Sequence, residues 1–248
     1  MPQLEVLGIS FNSYLSQDEE RQMYRMPIMT HVTLPNVRWF AFHGASTYLE
    51  ALLPRLAIPL LERLQVYSFI QLTYSIPHLQ EFMDTAGNLP FKTASLTFSE
   101  DNVNVMSYPQ GEARMYTLDM KLGGRHLDWQ VASTAQVFRT VFSTVEHLSL
   151  QYRRHQIFRP WNNKADITQW RELLGLFDNV KTVHMDDELV GQLSHSLQPG
   201  EGESSTDLLS ELQVLSYPAI DSSRDAFSSF IDGCQKVGRP VPEIYFFR

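Results

Sequence analysis

Residues 34–42, LPNVRWFAF, and residues 58–66, IPLLERLQV, follow one template: a proline, then apolar residues two, five and seven positions on. In the first stretch these are Pro35, Val37, Phe40 and Phe42; in the second, Pro59, Leu61, Leu64 and Val66. The opening residues 1–9, MPQLEVLGI, repeat it with Pro2, Leu4, Leu7 and Ile9. The last two apolar positions lie two residues apart. In an extended chain such residues share one face, and those between them share the other.

Six weaker copies carry the apolar spacing without the proline. Their triplets are Phe91, Ala94, Leu96; Met115, Leu118, Met120; Val145, Leu148, Leu150; Val180, Val183, Met185; Leu212, Leu215, Tyr217; and Val241, Ile244, Phe246. Successive copies are 24 to 35 residues apart. This is the L-x-x-L-x-L pattern at an irregular leucine-rich-repeat period.

Helical patterns fill most of the intervals. Thr47–Leu56 carries Leu49, Leu52, Leu53 and Leu56, and Asp128–Phe142 carries Val131, Ala135, Phe138 and Phe142. Asp166 is placed to cap a helix with Ile167, Trp170, Leu173, Leu174 and Phe177 on one face. Glu188–Leu197 offers Leu189, Leu193 and Leu197; a last helix, with Ser223 as its candidate cap, offers Phe227, Phe230, Ile231 and Cys234 before Gly238 and Pro240 end it. Between Ala94 and Lys121 no helical period is present, and ASLTFS, VNVMSY and MYTLDMKL predict a β-meander. Arg154–Lys164 and Gln198–Ser205 read as loops. The expected fold is therefore α/β: one leucine-rich-repeat solenoid over residues 1–248, of about nine irregular repeats, with a curved parallel sheet on the concave side, helices on the convex side and the meander near 94–121.

The 248 residues carry a formal net charge of −8, which disfavours nucleic acid and anionic membrane as partners. The single cysteine, Cys234, rules out an intramolecular disulfide and suits a cytoplasmic or nuclear compartment. No apolar run is long enough to cross a bilayer, and no Asn-x-Ser/Thr acceptor occurs. There is no phosphate-binding glycine loop, no nucleophile elbow and no zinc-protease motif. No catalytic residues, metal ligands or cofactor are assigned, and the expectation is a binding protein rather than an enzyme.

The stretches LPNVRWFAFHGASTYLEALLPRLAIPLLERLQVYSFIQLTYSIPHLQEF, HLDWQVASTAQVF, WRELLGLFDNVKTVH and FIDGCQKVGRPV make the chain resemble the leucine-rich-repeat region of F-box-like proteins of mushroom-forming fungi. The resemblance implies that the repeats hold the substrate of a cullin-type ubiquitin ligase, while an upstream F-box docks on its Skp adapter. The 248 residues begin inside the first repeat and contain no F-box-like segment, so a Skp contact is expected only if an F-box precedes them. The alternative expectation is a free-standing protein-interaction scaffold unrelated to ubiquitin.

In repeat geometry the residues between the apolar positions line the concave face, where a protein partner would sit. Trp39, His43, Arg63 and Tyr67 fall there on adjacent copies, and aromatic residues and arginine dominate protein interfaces. His147 and His184 are read as equivalent places on successive copies, with Asp186 nearby, forming a second candidate contact. The cluster Asp186, Asp187 and Glu188 also suits the start of the helix that follows.

Overall fold

A computed structural model describes residues 3–11, 30–68, 76–86, 89, 91–109, 116–124, 126–139, 141–153, 166–198, 208–218 and 225–247. All nine apolar pairs of the template lie in strands: β1 (Val6–Ser10), β3 (Trp39–Gly44), β5 (Arg63–Ser68), β6 (Thr93–Ser99), β8 (Leu118–Gly123), β9 (His147–Arg153), β10 (Thr182–Met185), β11 (Val214–Pro218) and β12 (Glu243–Phe247). A tenth strand, β7 (Asn102–Tyr108), completes one sheet in the order β1-β3-β5-β8-β7-β6-β9-β10-β11-β12. Every neighbouring pair is parallel except those made by β7, which runs antiparallel to both β6 and β8. Two short strands, β2 (Val32–Thr33) and β4 (Leu56–Ala57), pair separately. The fold is α/β with a mostly parallel, open sheet.

The expected meander is present, and it changes the strand order. Copies at both ends stack in chain order, but β6 does not follow β5. Instead β8 pairs with β5, β7 and β6 fold back beside it, and β9 continues from β6. The copies around Ala94 and Leu118 are thus reversed in space relative to the sequence.

Register places the template residues in rows. Leu7, Phe40, Leu64 and Leu118 are successive partners, and so are Ala94, Leu148, Val183, Leu215 and Ile244. Before five of the strands the preceding residue supports this alignment with its carbonyl. The Glu5 carbonyl accepts from the Arg38 and Trp39 N–H groups; Arg38 accepts from Glu62 and Arg63; Lys92 from Glu146 and His147; Glu146 from Lys181 and Thr182; Lys181 from Gln213 and Val214. Side chains at the same places alternate in charge. Arg38 pairs with Glu62, and Glu146 is held between Lys92 and Lys181, the latter at 2.8 Å. Both lysines bond its carboxylate, Lys181 more strongly, and hold its pKa down at about 2.

Among the described residues, six helices connect the strands: α1 (Ser46–Leu52), α2 (Pro77–Thr85), α3 (Leu127–Val137), α4 (Ile167–Leu174), α5 (Asp187–Ser196) and α6 (Ser228–Lys236). Their buried side chains and the apolar rows of the sheet form one continuous cluster. Trp170 of α4, fully buried, sets its ring edge-on to Phe98 of β6 at 5.4 Å and donates its indole N–H to Gln192 Oε1 at 3.1 Å. Asp166 caps α4 as its sequence predicts, in a capping box with Gln169. Ile167, expected on the buried face of α4, is 47% exposed. Gly238, at φ +72°, ends α6, and the Arg239 N–H closes back onto the Cys234 carbonyl. Cys234 is a packed thiol, 3% exposed, and burial pushes its pKa up.

Several boundaries differ from the sequence reading. The first helix ends at Leu52, because Pro54 turns the chain through a tight 3-10 turn, Leu53–Arg55, into β4. The Asp128–Phe142 pattern splits into α3 and a second such turn at Phe142–Thr144. Helix α2 has no counterpart in the reading; Pro77 starts it, and the Glu50 carboxylate of α1 accepts its His78 and Leu79 N–H groups, both at 2.9 Å. Ser223 and the loop Arg154–Lys164 lie outside the described residues, as do residues 199–205 of the other expected loop. Among the described residues, no helix is long and apolar enough to cross a membrane.

Candidate binding face

Strand side chains alternate, so the face opposite the helices is formed by the residues between the apolar rows. None of them belongs to the core cluster. Register sets them in a grid. One row runs Val6, Trp39, Arg63, the next Gly8, Ala41, Gln65, Asp119, Met106, Ser95, Ser149, His184, Ser216, Tyr245, and the third Ser10, His43, Tyr67, Lys121, Asn104, Thr97, Gln151. The alternation expected from the sequence recurs along each strand, with β7 inserted.

The structure brings Trp39 beside Arg63 and His43 beside Tyr67, whose rings meet edge-on at 6.1 Å. Trp39, Arg63 and Tyr67 are half-buried and His43 is exposed. The Trp39 indole N–H is buried and has no acceptor among the described residues.

The centre of this half is a residue the sequence reading placed on the face without assigning it a role. Asp119 is only 5% exposed. Its Oδ2 accepts the Tyr67 hydroxyl at 2.6 Å and the Gln65 amide at 3.1 Å, and Gln65 also donates to the Tyr67 oxygen at 2.8 Å. With its amide nitrogen turned inward, Asn104 donates to Oδ1 at 3.1 Å and to the Met120 carbonyl at 3.1 Å. These neutral donors replace the water that burial removes, as a carboxylate requires. Burial, then the Asp119 bond and its charge, push the Tyr67 pKa up to about 12. Tyr108 and Tyr116 are raised by burial and by the same carboxylate, while Arg63 opposes the effect on Tyr116. The three tyrosines around this buried side chain therefore all ionise at higher pH than an ordinary tyrosine. Asn104, Met106 and Tyr108 were within reach of sequence reasoning, since VNVMSY alternates and puts all three on one side.

The second candidate contact is arranged differently from the reading. His147 and His184 are not level. His147 pairs with Thr182, and His184 sits one step along, opposite Ser149. His147 Nδ1 meets the Thr182 hydroxyl at 2.8 Å, and His184 Nδ1 meets the Ser216 hydroxyl at 3.0 Å. His184 also stacks on Phe247 at 4.3 Å. Asp186 occupies the cap position of α5 but makes no side-chain cap; its carboxylate accepts the Tyr152 N–H of β9 at 3.1 Å, while Asp187 and Glu188 occupy the first turn of the helix. The hydroxyls and the backbone thus absorb the polar groups that looked available in the sequence. Among the described residues, no three His, Cys, Asp or Glu side chains are gathered to hold a metal ion.

No protein-family model, curated protein or solved structure matches this chain.

Proposed function

We propose that the chain is a protein-binding leucine-rich-repeat solenoid whose polar sheet face receives the partner. One observation carries this reading: ten strands in register give their apolar side to a single helix-packed core and leave a continuous opposite face of aromatic, hydroxyl, amide and imidazole groups. The ladder of paired carbonyls before the strands supports the repeat interpretation, since it recurs from copy to copy. Trp39, Arg63 and Tyr67 are the anchors, in keeping with the residue types that dominate interfaces. His43, His147 and His184 extend the contact; Asp186 braces β9 beside it. The interaction is non-covalent and uses no cofactor.

The likeness to fungal F-box-like repeats supports one specific role, holding the substrate of a Skp–cullin–F-box ligase. The test is partner capture by in-cell cross-linking with wild-type, Trp39→Ala and Arg63→Ala chains expressed at equal level. Loss of the same cross-linked protein in both variants is expected; equal capture by all three overturns the reading. Accumulation of that protein when the chain is deleted separates a ligase substrate from a scaffold partner, whose level stays unchanged.

A further inference from the structure

Charge is segregated between the two sides of the sheet. The described helices carry eight acidic side chains, one each in α1, α3, α4 and α6 and two each in α2 and α5, against two basic ones, Arg171 and Lys236. The described helices themselves therefore carry a net charge of −6. The polar face differs. Its strand residues include the cations Arg63, Lys121 and Arg153 and the anions Asp119 and Glu243, and Asp186 at its edge gives its carboxylate to the Tyr152 N–H. Asp119 is buried beneath Tyr67 and its amide donors, and Glu243 lies on the last strand and accepts the Tyr245 hydroxyl at 2.7 Å. Lys121 and Arg153 are exposed. The groups that fill the face between them, among them Thr97, Gln151 and Ser149, supply further hydrogen-bond donors.

We propose that the polar face reads an acidic peptide segment, with Arg63, Lys121 and Arg153 as its charge contacts and the hydroxyl and amide rows as donors to its carboxylates. The inference rests on the protein-binding reading and names the partner's chemistry. The acidic helix side repels such a segment, so the field orients the approach as well as favouring it.

The test is fluorescence anisotropy of the whole chain with three labelled probes: an oligoglutamate peptide, an oligolysine peptide and a single-stranded oligonucleotide. Oligoglutamate is expected to bind best, more weakly as salt rises. The double variant Lys121→Glu/Arg153→Glu should lose about tenfold or more, whereas Glu81→Lys on α2 should change binding by less than about twofold. Both substituted positions are exposed, and circular dichroism checks the fold. Tightest binding of oligolysine or of the oligonucleotide overturns the proposal, as does oligoglutamate binding that ignores the double variant or is absent. If that happens while Trp39→Ala still abolishes capture of the cross-linked partner, acidic specificity falls and the protein-binding reading stands; loss of both results removes both.

Discussion

Strands β9 to β12 and strands β5 to β8 are built to one pattern, yet they are assembled differently. In the first run each strand lies beside its predecessor and the face is lined by hydroxyls and imidazoles that pair with one another across neighbouring strands. In the second the chain doubles back through β7, and a carboxylate is driven into a ring of tyrosines. Successive copies place the same offsets side by side, so small polar residues meet small polar residues. The fold-back instead brings Asp119 of β8 between Gln65 of β5 and Met106 of β7, residues 54 and 13 positions away along the chain. Irregular order is what creates the unusual chemistry.

If the two regions share one core, the contact joining them should matter most. Trp170→Ala removes the ring that packs on Phe98 and is expected to cost about 3–5 kcal/mol, in a single denaturant transition. Two separate transitions, or a loss below about 1 kcal/mol, would break the picture of one core.

The next effect compares two positions in the same row of the face. Asp119→Ala strands the Tyr67, Gln65 and Asn104 donors and should cost about 1–3 kcal/mol. Ser149→Ala, in the regular run, should stay within about 0.5 kcal/mol. Equal losses would erase the difference between the regions.

Titration sharpens it further. Tyr67 should ionise near pH 12, followed by ultraviolet absorbance against a Tyr67→Phe control, and Asp119→Asn should bring it back toward the ordinary tyrosine value. Because the folded pKa is raised, this group's contribution to stability is complete below the ordinary tyrosine pKa and is lost as pH rises through about 12.

The smallest effect concerns the charge ladder of the regular run. The pKa of Glu146 is depressed to about 2, so its contribution is present above the ordinary glutamate value and fades as pH falls through about 2. Glu146→Gln should flatten the acid limb of a stability-versus-pH curve slightly. An unchanged acid limb would mean that the Lys92 and Lys181 contacts are of no consequence in water.

The strands were legible because each apolar pair must reach the core. That requirement leaves a spacing that survives from Leu7 to Phe246 despite the varying period. The side-chain grid followed from the same alternation. What could not be read was neighbourhood. Nothing local in residues 93–123 says that β8 rather than β6 will lie beside β5, since that choice is made by long-range packing. The importance of Asp119 depends on it, because its donors come from the two strands on either side of it, β5 and β7. Helix α2 escaped notice for a related reason: its N–H groups are capped by Glu50 from another helix, not by a residue of its own segment. Asp186 looked like a ready cap, yet its carboxylate serves Tyr152 on the neighbouring strand.

The most direct test of the proposed binding face is oxidative footprinting of the chain with and without its cross-linked partner. Tyr67, Tyr108, His147 and His184 should become protected, while Trp129, 37% exposed on α3, should react as before. Protection of Trp129 with no change at the tyrosines and histidines would place the partner on the helices and contradict the account.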